Sequence, residues 1–125
     1  MSQVYAGLMS GTSLDGVDGV LVDFAPQRPQ VLAYISAVFP SALKQELLQL
    51  NTSGPDELHR AALAANALVR VYADVVAQLL STCQVDASRV RAIGAHGQTV
   101  RHRPQLFDGT GYTIQLNQPA LLAEL

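Results

Sequence analysis

Two short stretches hold the residues that could do chemistry. The first is Gly7-Leu8-Met9-Ser10-Gly11-Thr12-Ser13-Leu14-Asp15-Gly16-Val17-Asp18. Apolar runs, Val4 to Met9 and Val17 to Phe24, lead into and out of it, and Asp15-Gly16 is a strong hairpin signal. Two antiparallel strands joined by a loop of little side-chain bulk follow from this pattern. Gly11 and Gly16 are expected to take positive φ and admit a close neighbour. Thr12 and Ser13 add hydroxyls beside exposed amides, so the loop can cradle an anion, above all a phosphate, in a nest of N–H groups. The competing reading is an ordinary hairpin whose turn residues serve geometry alone. The second stretch, Gly94-Ala95-His96-Gly97-Gln98-Thr99, follows a short β-rich run. His96 can donate or accept, and Gln98 offers one acceptor and two donors, which suits the hydroxyls of a sugar. A histidine that holds its loop through backbone bonds is the equal alternative.

Other phosphate-binding designs do not fit. A Walker loop needs a lysine after its last glycine, and the only lysine here is the distant Lys44. A dinucleotide fingerprint opens a helix, whereas Val17 to Phe24 reads as a strand. A phosphate-gripping hairpin points instead to the nucleotide sites of actin, Hsp70 and sugar kinases. The stretch from Gly7 to Asp18 resembles the signature of the 1,6-anhydro-N-acetylmuramic acid kinases, and Ala95-His-Gly-Gln-Thr-Val100 and Pro119-Ala-Leu-Leu-Ala-Glu-Leu125 resemble later blocks of that family in order and spacing.

The resemblance implies an actin-like (ribonuclease H-like) ATPase fold. It also implies a kinase of bacterial cell-wall recycling that opens the anhydro ring with water and phosphorylates O6, using ATP and Mg2+, to give N-acetylmuramic acid 6-phosphate. Carried onto this chain, it makes Gly11, Thr12, Ser13, Leu14, Asp15, Gly16, Val17 and Asp18 nucleotide-binding. Ser10, His96, Gly97, Gln98 and Thr99 face the sugar. Asp18 lies nearest the expected magnesium; Asp15, Asp18 and Asp23 make no coordination pattern by spacing. No residue matches the family's catalytic aspartate, so the general base is expected downstream of Leu125. Residues 1–125 are thus expected to form the N-terminal part of the first actin-like domain, and the full-length enzyme a homodimer. The family usually has glycine, then Asn or Asp, before the proline of its last block. Here Leu116-Asn117-Gln118-Pro119 stands there, and asparagine tolerates left-handed geometry better than most residues. The rival readings are another actin-like ATPase, which the His96 to Thr99 block argues against, and a non-catalytic nucleotide-binding module.

The elements that must position these residues can be read from periodicity. A chain of 125 residues, 49% apolar and 14% charged, can bury a core as one domain. A net charge of −2 offers no field for nucleic acid. The single cysteine, Cys83, has no disulfide partner, and neither a secretory signal nor an uninterrupted apolar span is visible, so a soluble cytoplasmic protein is expected. Val31 to Phe39 continues the hairpin as a third strand. Pro40-Ser41 opens a short helix with Leu43, Leu47 and Leu50 on one side. A long helix over Asp56 to Cys83, about 40 Å at 1.5 Å per residue, carries a stripe of Leu58, Ala62, Ala65, Val69, Tyr72, Val76, Leu79 and Cys83. Ser53 or Asp56 is its expected cap. Arg89 to Ala95 forms a fourth strand, parallel because a helix precedes it. The basic group Arg101, His102 and Arg103 reads as solvated loop, with a carboxylate or phosphate contact as the alternative. Tyr112 to Leu116 forms a fifth strand, and Asn117 caps a last helix from Pro119. Three antiparallel strands followed by alternating helices and strands give a mixed α/β sheet.

Overall fold

The computed structural model describes residues 3–125. The expected meander is present as β1 (Val4–Ser10), β2 (Gly16–Asp23) and β3 (Gln30–Val38). Alternation along β1 and β2 buries Val4, Ala6, Leu8, Val17 and Leu21 on one face. Two helices follow, α1 (Ser41–Gln49) and α2 (Glu57–Cys83), and then β4 (Val90–Ala95) returns to the sheet. The sheet order is β3-β2-β1-β4, with β4 parallel to β1 and the other pairs antiparallel. This is the mixed sheet that the sequence pattern predicts.

Helix α2 packs on the sheet through Ala64, Ala65, Leu68, Val69, Tyr72, Val75 and Leu79. The buried face therefore differs from the expected stripe at its start, where Leu58 is 89% exposed and Ala62 is exposed. By length and composition alone α2 could cross a membrane, with a mean hydropathy of 1.4. Its packing against β2 and β3 marks it instead as the core helix. Cys83 at its end is half-buried and donates to Leu32 O at 3.3 Å.

Neither expected cap serves α2. Asp56 sits at its start with φ 54° and no side-chain capping bond. Glu57 instead accepts from Gly54 N at 3.0 Å and pairs with Arg101 at 2.5 Å. The Gly54 amide, then Arg101, hold the Glu57 carboxyl below its ordinary pKa. A carboxylate lowered on folding stabilises above its unfolded pKa and loses that contribution as pH falls through the folded one. Urea midpoints should therefore fall on acidification, and Glu57→Gln should reduce both the midpoint at neutral pH and that acid slope. An unchanged slope would remove Glu57 from the acid limb.

The segment after β4 differs from expectation. Residues read as loop form β5 (Gln98–Pro104), which pairs antiparallel with β6 (Gly111–Leu116) in a separate two-stranded sheet. Arg101 and Arg103 are consequently strand residues; Arg101 meets Glu57, and Arg103 donates to Asn51 O at 3.4 Å. The last helix, α3 (Pro119–Glu124), begins after Gln118, not Asn117. Asn117 has no left-handed backbone. Its amide bridges elements, with Nδ2 donating to Ala95 O at 3.0 Å and Oδ1 accepting from Gln118 N at 2.9 Å. Asp23 ends β2, and its Oδ1 accepts from Gln3 N and Ala25 N, amides that lower its pKa.

Candidate functional site

Because β1 and β4 are parallel and paired up to Leu8 and Ala95, the loops that leave their carboxyl ends emerge side by side. Ligands of open α/β sheets gather at such ends. The loop from β1 spans Gly11 to Asp15. Its turn is closed by Leu14 N donating to Gly11 O at 3.1 Å, and the left-handed residue is Leu14, with φ 59°, rather than Gly11. Asp15-Gly16 is therefore not the turn itself. Gly16 already lies in β2, where a Cβ would stand 2.0 Å from Ala37 O, so close strand approach is what requires glycine there.

The predicted phosphate residues divide by burial. Leu14 and Val17 point into the core and anchor the loop from below. Thr12, Ser13 and Asp15 form its exposed tip. Among the described residues, the Thr12 and Ser13 amides and hydroxyls make no hydrogen bond. Around Gly11 the space is open, since the nearest atom to an added Cβ is Ser13 Oγ at 3.9 Å. Free donors above a fixed, uncrowded turn suit an anion with several oxygens. Asp18 is exposed on β2, and its Oδ1 accepts from Tyr34 OH at 2.7 Å. That bond raises the Tyr34 pKa. No group of three metal-ligating side chains occurs among the described residues.

The loop from β4 is short and held tightly. His96 N donates to Leu8 O at 3.1 Å, continuing the parallel pairing for one more residue. The His96 ring is exposed, and its Nδ1 lies 3.1 Å from Gly97 O. A carbonyl can only accept, so this contact places a proton on Nδ1, and in the neutral ring Nε2 is then the acceptor. Gly97 has φ 83°, and a Cβ there would lie 2.4 Å from Leu116 O. Thr99 is half-buried, with Oγ1 accepting from Gln115 Nε2 at 3.1 Å.

Two predicted sugar-facing residues lie inside the molecule. Ser10 is 2% exposed and Gln98 0%. The Ser10 hydroxyl sits between Tyr72 OH, 2.9 Å away, and Gly97 O, to which it donates at 3.2 Å. Gln98 Nε2 donates to Gly11 O at 3.0 Å. Among the predicted substrate residues, His96 alone presents a polar side chain outward. Tyr72 was placed by periodicity only as an apolar stripe residue. Burial raises its pKa, and its hydroxyl reaches the end of β1 from underneath. The signal that could have found it is chemical: a buried tyrosine hydroxyl must meet a polar partner.

A family model described as anhydro-N-acetylmuramic acid kinase matches residues 3–125. Proteins of that name from Albidiferax ferrireducens, Variovorax paradoxus and Cupriavidus metallidurans are 70%, 64% and 60% identical over 125, 123 and 124 residues. The matches cover 100%, 98% and 99% of this chain, but 32%, 33% and 33% of those proteins. Matched along nearly all its length, and spanning about a third of the curated relatives, the chain belongs to the anhydro-N-acetylmuramic acid kinase family.

Proposed function

We propose that the protein carrying this chain is an ATP-dependent kinase of anhydro-N-acetylmuramic acid. Residues 1–125 would be the N-terminal part of its first actin-like domain. The observation that carries the reading is the juxtaposition of a free-donor loop, Thr12 and Ser13, with the exposed His96 at the carboxyl ends of two paired parallel strands. In this reading the loop tip holds nucleotide phosphates, and the His96 to Thr99 loop forms part of the sugar wall. His96 Nε2 would accept a sugar hydroxyl, while Ser10, Gly97 and Gln98 shape the wall from behind. ATP supplies the phosphoryl group that passes to O6 when water opens the anhydro ring. Magnesium would be held chiefly by the phosphates, as is usual for this ion, with Asp18 the candidate carboxylate from the protein. The base that takes the water proton would lie beyond Leu125. A lone half-buried thiol suits a reducing, cytoplasmic setting.

The full-length protein incubated with ATP, magnesium and anhydro-N-acetylmuramic acid should yield a sugar phosphate. ATP consumption indifferent to the sugar would sink the reading. Gly11→Val should leave the fold intact, because the position is uncrowded and its backbone is not left-handed. It should nonetheless weaken ATP binding about tenfold, by filling space above the turn and stiffening it. Calorimetric titration against ATP and against sugar checks this, and equal ATP affinity would contradict it.

A further inference from the structure

Gln98 is buried completely, and its amide reaches beyond its own strand to the loop after β1. Nε2 donates to Gly11 O at 3.0 Å and lies 3.3 Å from Thr99 O, so both amide hydrogens are committed. Oε1 is buried with no partner among the described residues. Gly11 O receives two donors, the Leu14 amide that closes the turn and Gln98 from outside it. In the opposite sense, Ser10 Oγ donates to Gly97 O at 3.2 Å. Two hydrogen bonds thus cross in opposite directions between residues 10–11 and 97–98. A side chain that is fully buried and has spent both donors cannot use them to read a hydroxyl.

We propose that Gln98 is a positioning residue that fastens the turn at Gly11 to the His96–Thr99 loop, so that nucleotide affinity depends on the loop assigned to the sugar. This rests on the reading of the two loops under Proposed function. Fixing Gly11 O fixes the direction of the next amides, those of Thr12 and Ser13. Without Gln98, the turn keeps only its internal Leu14 bond and can swivel as a unit, so its donors must be ordered when phosphate arrives.

The test uses the full-length protein and Gln98→Met, which keeps length and volume but has no donors. ATP affinity measured without sugar should fall about tenfold, the equivalent of one hydrogen bond. Exchange of the Leu14 amide should quicken in the ligand-free protein. Loss of sugar affinity with ATP affinity unchanged would make Gln98 a sugar ligand and overturn the proposal. Unchanged ATP affinity together with unchanged Leu14 exchange would also overturn it. If the wild-type protein binds no ATP, the functional reading fails, and Leu14 exchange alone decides the fastening: faster exchange supports it and equal exchange refutes it. Should the Met variant fail to fold, Gln98→Leu removes the same donors with a shorter apolar side chain, and the same outcomes apply.

Discussion

Gly97→Ala is expected to lower stability by about 2–4 kcal/mol and to remove turnover of the sugar. Two independent costs add at this position. The backbone is left-handed, with φ 83°, which costs a residue with a Cβ about 1–2 kcal/mol. An added Cβ would also stand 2.4 Å from Leu116 O, a backbone atom of β6 that cannot rotate away. Leu116 is paired with Gln98, the next residue, so moving it disturbs the hairpin that carries the loop. Any relaxation also shifts Gly97 O, which accepts from Ser10 Oγ and His96 Nδ1. Gly94→Ala provides the comparison, three residues earlier in β4. Nothing lies within 4 Å of a Cβ there, so its effect should stay within about 0.5 kcal/mol. Denaturant midpoints of the two variants give the measurement. Equal midpoints would mean that the loop at Gly97 is free to move, and the fastened site described above would be wrong.

The parts legible in the sequence are those whose signal is local. The apolar run from Val4 to Met9, leading into small and hydroxylated residues, sufficed for β1, and the fold buries Val4, Ala6 and Leu8 of it. A long apolar helix followed by a short strand sufficed for the parallel placement of β4. Strand β5 was not legible, because Arg101-His102-Arg103 is polar throughout and Val100 is its one buried apolar residue. It becomes a strand through pairing with β6, a partner that local pattern does not reveal. The buried face of α2 was legible at Ala65, Val69, Tyr72 and Leu79 and lost near Leu58. Alanine on several sides of a helix gives little contrast between faces. At the second position of such a helix, nothing obliges a leucine to be covered.

The candidate site was legible as two motifs but not as one network. Sequence placed Gln98 against the sugar because its amide suits hydroxyls, and the family resemblance placed Ser10 there. The fold turns both inward and gives their donors to Gly97 O and Gly11 O. Those contacts join residues 87 apart in each case, and no spacing rule reaches that far. They arise because β1 and β4 run parallel, which brings the two loop starts together. What remains outward is a smaller set, Thr12, Ser13, Asp15, Asp18 and His96. The actin-like type of this family is consistent with that division, in which strand ends carry the loops and a core helix supports them from one face.

Tyr72→Ala is expected to be the most damaging single change in α2, at about 3–5 kcal/mol, the usual cost of truncating a buried aromatic ring. Tyr72 is 0% exposed and heads the largest side chains that are wholly buried. Its hydroxyl adds a second, separable effect. Ser10 donates to Gly97 O, so the hydrogen in the 2.9 Å contact between Ser10 Oγ and Tyr72 OH comes from the tyrosine. Tyr72→Phe keeps the ring and removes that one donor, leaving Ser10 still bonded to Gly97, and should cost about 1 kcal/mol. Ser10→Ala strands the tyrosine hydroxyl in the interior and should cost more, about 1–3 kcal/mol. The double variant removes both partners at once, and its loss should be smaller than the sum of the two singles. A coupling of at least about 0.5 kcal/mol in that cycle is the expected result. Additive losses would show that the two hydroxyls do not sense each other and that α2 supports the end of β1 through packing alone. The same cycle read as ATP affinity in the full-length protein tests whether the support reaches the turn: Tyr72→Phe should weaken nucleotide less than Ser10→Ala, because the serine hydroxyl is the link between Tyr72 OH and Gly97 O.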